Sequence, residues 1–343
     1  MLNNLYGYTL DALGDYLVQN KFKKFNATQV FEWVYQKKAQ DFDLMSNLNK
    51  ELRDHLSREF SLSNLPIELK QTSADGTIKY LFVLEDGYLI ESVLMRHEYG
   101  LSLCVTSQVG CNMGCSFCAS GLKKKTRNLE AHELVNQVVS VERDIDQKIT
   151  HIVVMGIGEP FDNYDHVMNF VRIINHAKGL AIGQRHITIS TCGIVPRIYD
   201  FAKEPIRPNL AVSLHAPNDA LRTQIMKINK RYPLKDIIEA LKVYFEQTSR
   251  RITFEYILLH GVNDSVELAD ELSDLIRGLN AYVNLIPYNP VTEFAYQATD
   301  PKRASQFYDR LMKRGIAVTL RREQGKDIDA ACGQLRMKHE DKS

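Results

Sequence analysis

Three of the six cysteines of this 343-residue chain fall within eight residues, Cys111-Asn112-Met113-Gly114-Cys115-Ser116-Phe117-Cys118. The spacing is C-x3-C-x2-C, with a glycine just before the second cysteine. A run so tight does not suit three independent core thiols. It suits thiolates that converge on one metal centre. Structural zinc sites take four ligands and leave no position open, and iron–sulfur clusters are usually held by four cysteines. Three local ligands without a nearby fourth point to an open coordination position, where substrate chemistry can occur. A zinc knuckle is the alternative reading of the same spacing. Either way, the fold must present this loop on a scaffold able to surround a metal centre.

The length allows about two domains. Hydrophobic residues make up 44% and charged residues 25%, ordinary values for a globular protein. The net charge of +1 makes the whole molecule no magnet for nucleic acid, so any RNA surface must come from local patches. The start, Met1-Leu2-Asn3-Asn4-Leu5, has no basic stretch leading into an apolar one, and no apolar run approaches the ~18 residues of a membrane span. Clustered cysteines fit metal binding in a reducing compartment better than a disulfide scaffold. These features predict a cytoplasmic protein without a membrane partner.

Residues 1 to about 70 read as helical and polar. Val30, Phe31, Trp33, Val34 and Tyr35 form an apolar stripe on a helix expected over Ala27–Lys38, with Trp33 as a core anchor. Lys21, Lys23, Lys24, Lys37 and Lys38 offer either an RNA surface or a solvated face. From Ile78 the pattern turns to strands, with a hairpin around Asp86-Gly87. Glu91 lies inside the apolar run of its second arm, where a carboxylate is exposed on an edge, paired or functional. After residue 101, strands alternate with helices. Ser102–Thr106, His151–Met155, His186–Thr191, Asn209–Leu214, Arg251–Leu258 and Val283–Pro287 read as strands, and Ile316–Arg321 as a final one. Asn128 reads as the cap of the helix that contains Leu134, Val138, Val141 and Ile145. The fold class is therefore α/β: a partial, roughly six-fold β/α barrel with a small helical N-terminal domain and a short β extension.

In parallel barrels, working residues sit at the C-terminal strand ends. Those ends carry Gly156-Ile157-Gly158-Glu159-Pro160, Ser190-Thr191-Cys192-Gly193, Ser213-Leu214-His215 and Tyr288-Asn289-Pro290. Glycines admit a ligand to the backbone, and the polar side chains offer it hydrogen bonds. The basic loop Lys123-Lys124-Lys125-Thr126-Arg127 follows the third cysteine and is a candidate phosphate contact. Cys192 reads as a small thiol at a strand end. Cys332 lies in Asp327-Ile328-Asp329-Ala330-Ala331-Cys332-Gly333-Gln334-Leu335, a glycine-flanked stretch suited to a mobile, reactive thiol.

The cysteine spacing, the Gly156–Pro160 stretch and the other strand ends resemble those of the radical SAM enzymes. With the Asp327–Leu335 stretch and Leu103-Cys104-Val105-Thr106-Ser107-Gln108-Val109-Gly110-Cys111, the chain is identified as a member of the RlmN-type adenine methyltransferases, whose sister group is Cfr. The resemblance covers the whole chain. It implies a [4Fe–4S] cluster on Cys111, Cys115 and Cys118, with S-adenosylmethionine (SAM) on the fourth iron. It also implies SAM contacts at Gly158, Glu159, Ser190, Ser213, Leu214, His215 and Asn289. Residues 1–85 would be an accessory, RNA-binding domain, and residues 86–343 the catalytic domain with its reactive-cysteine segment.

The implied chemistry uses two SAM per turnover. Carbon 2 of adenine is electron-poor and has no acidic proton, so a simple polar methyl transfer fails. By the resemblance, one SAM methylates Cys332, and a second is cleaved to a 5′-deoxyadenosyl radical that takes hydrogen from that methyl group. The carbon radical adds to the ring, Glu91 removes the ring proton, and the Cys104 thiolate attacks the Cys332 sulfur, leaving a disulfide. Burial of Glu91 would raise its pKa and improve it as a base. The implied partners are 23S ribosomal RNA, tRNA in some members, and a reductant such as flavodoxin, with the protein a monomer. Gly158-Glu159-Pro160 stands where Cfr has Gly-Glu-Ala, which favours carbon 2 over Cfr-like carbon 8. An RNA-binding protein with a structural zinc, or an electron-transfer protein, is the alternative of another class.

Overall fold

The structure, a computed structural model, describes residues 2–322, 324–331 and 333–340, the last without its side chain. Cys332 lies outside the described residues. The N-terminal part is helical where polar caps meet apolar stripes. Thr9 caps α1 (Leu10–Gln19) by accepting from the Ala12 N–H, and Asn49 caps α3 (Lys50–Glu59) by accepting from that of Leu52. Between them, α2 (Asn26–Phe31) passes into a π-helical turn, Glu32–Gln36, so the expected continuous helix is interrupted. Val30, Phe31, Val34 and Tyr35 are buried as expected. Trp33 is only half-buried: its indole N–H donates to Asn47, and the Lys37 ammonium lies 3.6 Å from its ring centroid. It spans core and surface instead of anchoring the core.

Among the described residues, ten strands form one sheet in which each strand lies beside its neighbours in sequence. They are β1 (Ile67–Thr72), β2 (Ile78–Val83), β3 (Leu89–His97), β4 (Gly100–Cys104), β5 (His151–Val154), β6 (Ile187–Thr191), β7 (Asn209–Ser213), β8 (Ile252–Leu258), β9 (Ala281–Pro287) and β10 (Ala317–Leu320). The first four pair antiparallel, and β4 to β10 run parallel. This is the expected partial β/α barrel, with the antiparallel strands as its β extension. The strand β1 falls in the stretch expected to be helical. It is an exposed edge in which Ile67 and Leu69 alternate with Glu68 and Lys70 over only four residues, too short a run to mark a strand.

Strand alternation divides the wall into two faces. Ile152, Val154, Ile187, Ile189, Leu210, Val212, Ile252 and Phe254 are fully buried in the main core. The alternate positions include Ser190, Ser213 and Glu255, which leave the opposite face polar. Helix α4 (Ala131–Ile145) joins the two parts of the molecule. Leu134, Val138 and Val141 are fully buried, and Asn136, Ser140 and Arg143 bond to Ser63, Leu65 and Tyr6 of the N-terminal part. Its cap is Glu130, in a capping box with Glu133. Asn128, the expected cap, instead donates to the Asp162 carbonyl and accepts from Gln108. Among the described residues no helix is long and apolar enough to cross a membrane.

Candidate active site

The cysteine loop leaves β4 and is fastened along its length. The Cys111 N–H donates to the Lys123 carbonyl at 3.1 Å, and the Ser116 N–H to the Ile225 carbonyl at 2.9 Å. Cys115 forms a β-bridge with Met226. Cys115, Cys118 and Met113 pack on a satellite cluster of Phe117, Cys192, Ala216, Ile225, Met226, Leu259 and Tyr288. Burial pushes the Cys111 thiol up to about 12, and the neighbouring Cys118 adds to the rise. Burial pushes Cys115 well above the ordinary range too, reinforced by Cys118 and Cys111. The three sulfurs thus lie within each other's field, and ionising them together requires a cation, which a cluster's irons supply.

The surroundings fit such a group. Ser120 Oγ is buried without a hydrogen-bond partner, and the buried Tyr288 lies in the field of Cys118. Among the described residues, no three His, Cys, Asp or Glu side chains converge as the ligands of one ion would. A cluster spreads its cysteines over separate irons, so its ligands need not meet at one point.

The strand ends form a shelf beside this loop. Ser190 Oγ and Ser213 Oγ are 3.4 Å apart on adjacent strands. Leu214 turns its side chain into the main core, leaving only its backbone to a ligand. His215 is buried and takes φ +59°, a strained conformation for a residue with a Cβ. The Ile257 N–H donates to its Nδ1 at 3.1 Å, so the neutral ring carries its proton on Nε2. Burial, with Arg222 nearby, pushes its pKa down to about 3. The Phe117 ring meets it edge-on at 5.0 Å, joining the cysteine loop to the shelf. Asn289 is exposed just beyond β9.

Gly156 and Gly158 serve close packing rather than open space. A Cβ on Gly156 would lie 2.7 Å from the Val105 carbonyl, and one on Gly158 2.7 Å from Ser107 Oγ and Gln108. Glu159 is buried and accepts from Phe161 N–H at 3.0 Å and Cys192 N–H at 2.7 Å, tying the ends of β5 and β6 together. Burial raises its pKa, and the Cys192 hydrogen bond opposes the rise. Glu255, beside Ser213 in register, is pushed up to about 7 by burial, although Asn284 donates to it at 2.7 Å.

Glu91 and Cys104 meet on the other side. Glu91 lies on β3, an inner strand, and is 3% exposed, which removes the edge-strand alternative. Lys79 Nζ is 2.7 Å from its Oε2, and both side chains are buried. The Gly333 N–H donates to Oε2 at 2.7 Å and the Arg336 N–H to Oε1 at 2.5 Å. Lys79 also donates to the Ala331 carbonyl at 3.0 Å. Glu91, Lys79, Cys104, Thr106 and Gly156 line one narrow crevice. Cys104, the last residue of β4, packs there on Val93, Met95, Val153 and Met155.

The glycine-flanked segment expected to be mobile is docked where it is described. Besides the bonds to Glu91 and Lys79, Asp327 bonds to Ser73 and the Ala74 N–H, Asp329 to Gln71, and Gly325 to Asp75. Lys79 was not foreseen, yet a signal existed. It and Glu91 are charged residues inside two apolar runs that form a hairpin, diagonal neighbours on one face. The basic loop is partly consumed within the chain: Lys125 pairs with Asp162 at 2.6 Å, and Arg127 with Asp86 at 2.6 Å and Glu133 at 2.7 Å. Lys124 remains exposed.

Comparison with known proteins agrees with this geometry. The family model of the Radical SAM superfamily matches residues 105–272, and that of the Ribosomal RNA large subunit methyltransferase N-terminal domain matches residues 3–62. A Geobacillus kaustophilus protein named "Probable dual-specificity RNA methyltransferase RlmN" is 56% identical over 98% of this chain and 93% of its own. One of the same name from Lactococcus lactis is 54% identical over 98% and 94%. The crystal structure of a radical SAM methyltransferase from Sphaerobacter thermophilus matches with a TM-score of 0.91 at 45% identity, covering 97% of this chain and 98% of that one.

Proposed function

Because this chain belongs to the RlmN family of radical SAM RNA methyltransferases, we propose that it delivers a methyl group from Cys332 to an RNA adenine with Glu91 as base and Cys104 as resolving thiol. The family methylates carbon 2 of adenine, and its members use a [4Fe–4S] cluster and SAM. When bound, these groups supply the methyl group and the means of activating it. Cys111, Cys115 and Cys118 would hold the cluster. The backbone around Gly158 and Leu214, the hydroxyls of Ser190 and Ser213, His215 Nε2–H and Asn289 would receive SAM. Glu159 would act there while keeping its two backbone donors, so its replacement would loosen the shelf as well as weaken SAM.

One observation carries the assignment of the remaining roles. Residues on both sides of position 332 bond to Glu91 and its cation Lys79, and Cys104 lines the same crevice. A base, a carrier and a thiol that must act in succession on one adenine need such proximity. The Cys104 thiolate would attack the carrier sulfur, forming a sulfur–sulfur bond as the sulfur–carbon bond breaks, and the product carbon keeps that electron pair and takes a proton to complete the methyl group. The RNA is 23S ribosomal RNA, with a tRNA adenine as second substrate and the base taken out of its stack. The electron comes from a reductant such as flavodoxin, and the enzyme works as a cytoplasmic monomer with residues 1–85 adding RNA affinity.

The test is anaerobic incubation of the reconstituted protein with SAM, a reductant and unmodified 23S fragments or tRNA. Mass analysis of the released adenine should find the 2-methyl isomer. The 8-methyl isomer would move the assignment to Cfr-like chemistry, and protein without iron would move it to a different class.

A further inference from the structure

Arg222 has no place in the chemistry above, and its position is unusual. It is 0% exposed, on the short helix Asp219–Ile225. Its guanidinium donates to the carbonyls of Cys192 at 2.7 Å, Ser213 at 3.2 Å and Leu214 at 3.1 Å, and to Asn229 Oδ1 at 2.9 Å. Every one of these acceptors is neutral. Asp219, on the same helix, is a carboxylate whose charge reaches Arg222, but its oxygen accepts from Asn229 and from the Leu234 N–H rather than from the guanidinium. A buried cation whose hydrogen bonds reach only dipoles is costly unless an anion lies nearby.

The same helix grips the cysteine loop. The Ile225 carbonyl accepts from the Ser116 N–H at 2.9 Å and from Ser116 Oγ at 3.3 Å. Met226 bridges Cys115, and the Met226 N–H donates to the Arg222 carbonyl at 2.7 Å. Cys192, whose carbonyl the guanidinium reaches, belongs to the apolar cluster on which Cys115 and Cys118 pack. Arg222 therefore stands between the loop that would hold the cluster and the strand ends that would hold SAM.

We propose that Arg222 is a positioning residue whose fixed positive charge balances the negative charge of the thiolate-bound cluster and eases its reduction. Through the same guanidinium it holds the Ser213–Leu214 backbone in place for SAM. A nearby cation favours the cluster state with one more electron, and net charge and hydrogen bonding are among the factors that set iron–sulfur potentials. The proposal rests on the assignment of the cluster to Cys111, Cys115 and Cys118. A single buried charge would thus serve both groups that must cooperate in SAM cleavage.

The test compares wild type, Arg222→Gln and Arg222→Lys, reconstituted anaerobically without SAM and titrated with a redox mediator while reduced cluster is read by EPR. Arg222→Gln should lower the ratio of reduced to oxidised cluster at fixed solution potential by about tenfold or more, which is about 59 mV for one electron. Arg222→Lys keeps the charge and should hold that ratio within about threefold of wild type. Its ammonium lacks the planar fork needed to reach four acceptors, so SAM binding, measured separately, should weaken by about tenfold. A fully loaded Arg222→Gln protein with the wild-type ratio would overturn the electrostatic role. Should Arg222→Gln fail to assemble a cluster, Arg222→Lys decides: a ratio lowered tenfold overturns the proposal, and an unchanged ratio with weakened SAM supports it. Wild type that binds no iron would remove the cluster assignment itself, a failure distinguishable from the other outcomes.

Discussion

The cysteine loop and the segment around position 332 are both irregular backbone beside the same sheet, yet they are held by different forces. The loop rests on the apolar cluster of Phe117, Ala216, Ile225 and Met226. The segment rests on hydrogen bonds to Gln71, Ser73, Asp75, Lys79 and Glu91, three of them charged. A polar crevice of about 520 Å³, lined by Gln71, Thr72, Lys326 and Asp329, runs beside that segment. Apolar packing opened to water is not replaced, whereas each protein hydrogen bond exchanges for bonds to water at a net cost of only about 0.5–1.5 kcal/mol. The difference suits the two tasks. In the proposed roles a cofactor platform has to stay fixed, and a methyl carrier has to visit a methyl donor, a base and a resolving thiol, so its dock must be able to open.

The largest effects should come from the fixed side. If Cys115 is a cluster ligand as proposed, replacing it by Ala should bring the iron content of the anaerobically reconstituted protein to background with complete loss of SAM cleavage. A Cys115→Ala protein retaining iron and activity would break the comparison at its root. Removing Cys104 acts at the other end of the reaction. Cys104→Ala should lower product release by about 10³-fold or more, as loss of a nucleophile does elsewhere. It should accumulate a protein–RNA adduct, visible as a nuclease-sensitive shift on a denaturing gel, which Cys332→Ala never shows. Free methylated RNA at the wild-type rate from Cys104→Ala would assign Cys104 to the core alone.

The dock itself can be opened at Lys79. Lys79→Met leaves the Glu91 carboxylate buried with its backbone donors and the Arg336 charge but without the cation paired to it, a loss that typically costs up to about 3–5 kcal/mol. Hydrogen exchange over residues 325–336 should speed up more than exchange in the cysteine loop. Equal acceleration in both would mean that the two regions open as one unit and that the contrast between them is wrong.

These contrasts were unequally legible in the sequence. The cysteine loop was plain because its three thiols are local in the sequence. The strand ends were plain because a period of two, broken by glycine and small polar residues, marks where β5, β6, β7 and β9 stop. Arg222 left no trace, since its partners are carbonyls of residues 192, 213 and 214, and every residue carries a carbonyl. The strand β1 was missed because an exposed edge places no demand on its side chains. The extent to which the basic residues are already paired was also hidden, because Asp86, Asp162 and Glu142 approach them only through the fold.

Glu255 gives a smaller effect with a definite sign. Its folded pKa is raised from 4.5 to about 7, so the folded protein keeps a proton that the unfolded chain has released. The stability this contributes is complete below about pH 4.5 and is lost as the pH rises through about 7, on the order of 3 kcal/mol in all. Glu255→Gln keeps an acceptor for Asn284 and has no proton to lose. Urea midpoints of the two proteins should therefore diverge as the pH rises across that window, with the variant becoming relatively more stable. Parallel curves would mean that Glu255 titrates normally, and the polar face of the barrel would then be open to water.

The smallest effect concerns the N-terminal lysines, which differ in what already holds them. Lys24 pairs with Asp15 at 3.0 Å, and Lys38 lies 3.8 Å from Glu142 on α4. Lys23 and Lys37 meet only rings, those of Phe25 and Trp33, at 5.7 and 3.6 Å from the centroids. A cation lying on a ring keeps its charge uncompensated and available to a phosphate, whereas one paired with a carboxylate must first give up its partner. If residues 1–85 add RNA affinity, neutralising Lys23 and Lys37 together should flatten the plot of log affinity against log salt by about 0.7–0.9 for each phosphate that then goes unneutralised. Neutralising Lys24 and Lys38 should leave that slope nearly unchanged. The Lys38 change should lower the melting temperature slightly, because it frees the buried Glu142 carboxylate of a neighbouring cation. Filter binding of a 23S fragment at several salt concentrations separates the pairs. Slopes unchanged from wild type in both double variants would make all four lysines solvated surface, and RNA affinity would then have to come from other parts of the surface, such as the exposed Lys124 in the loop after the third cysteine.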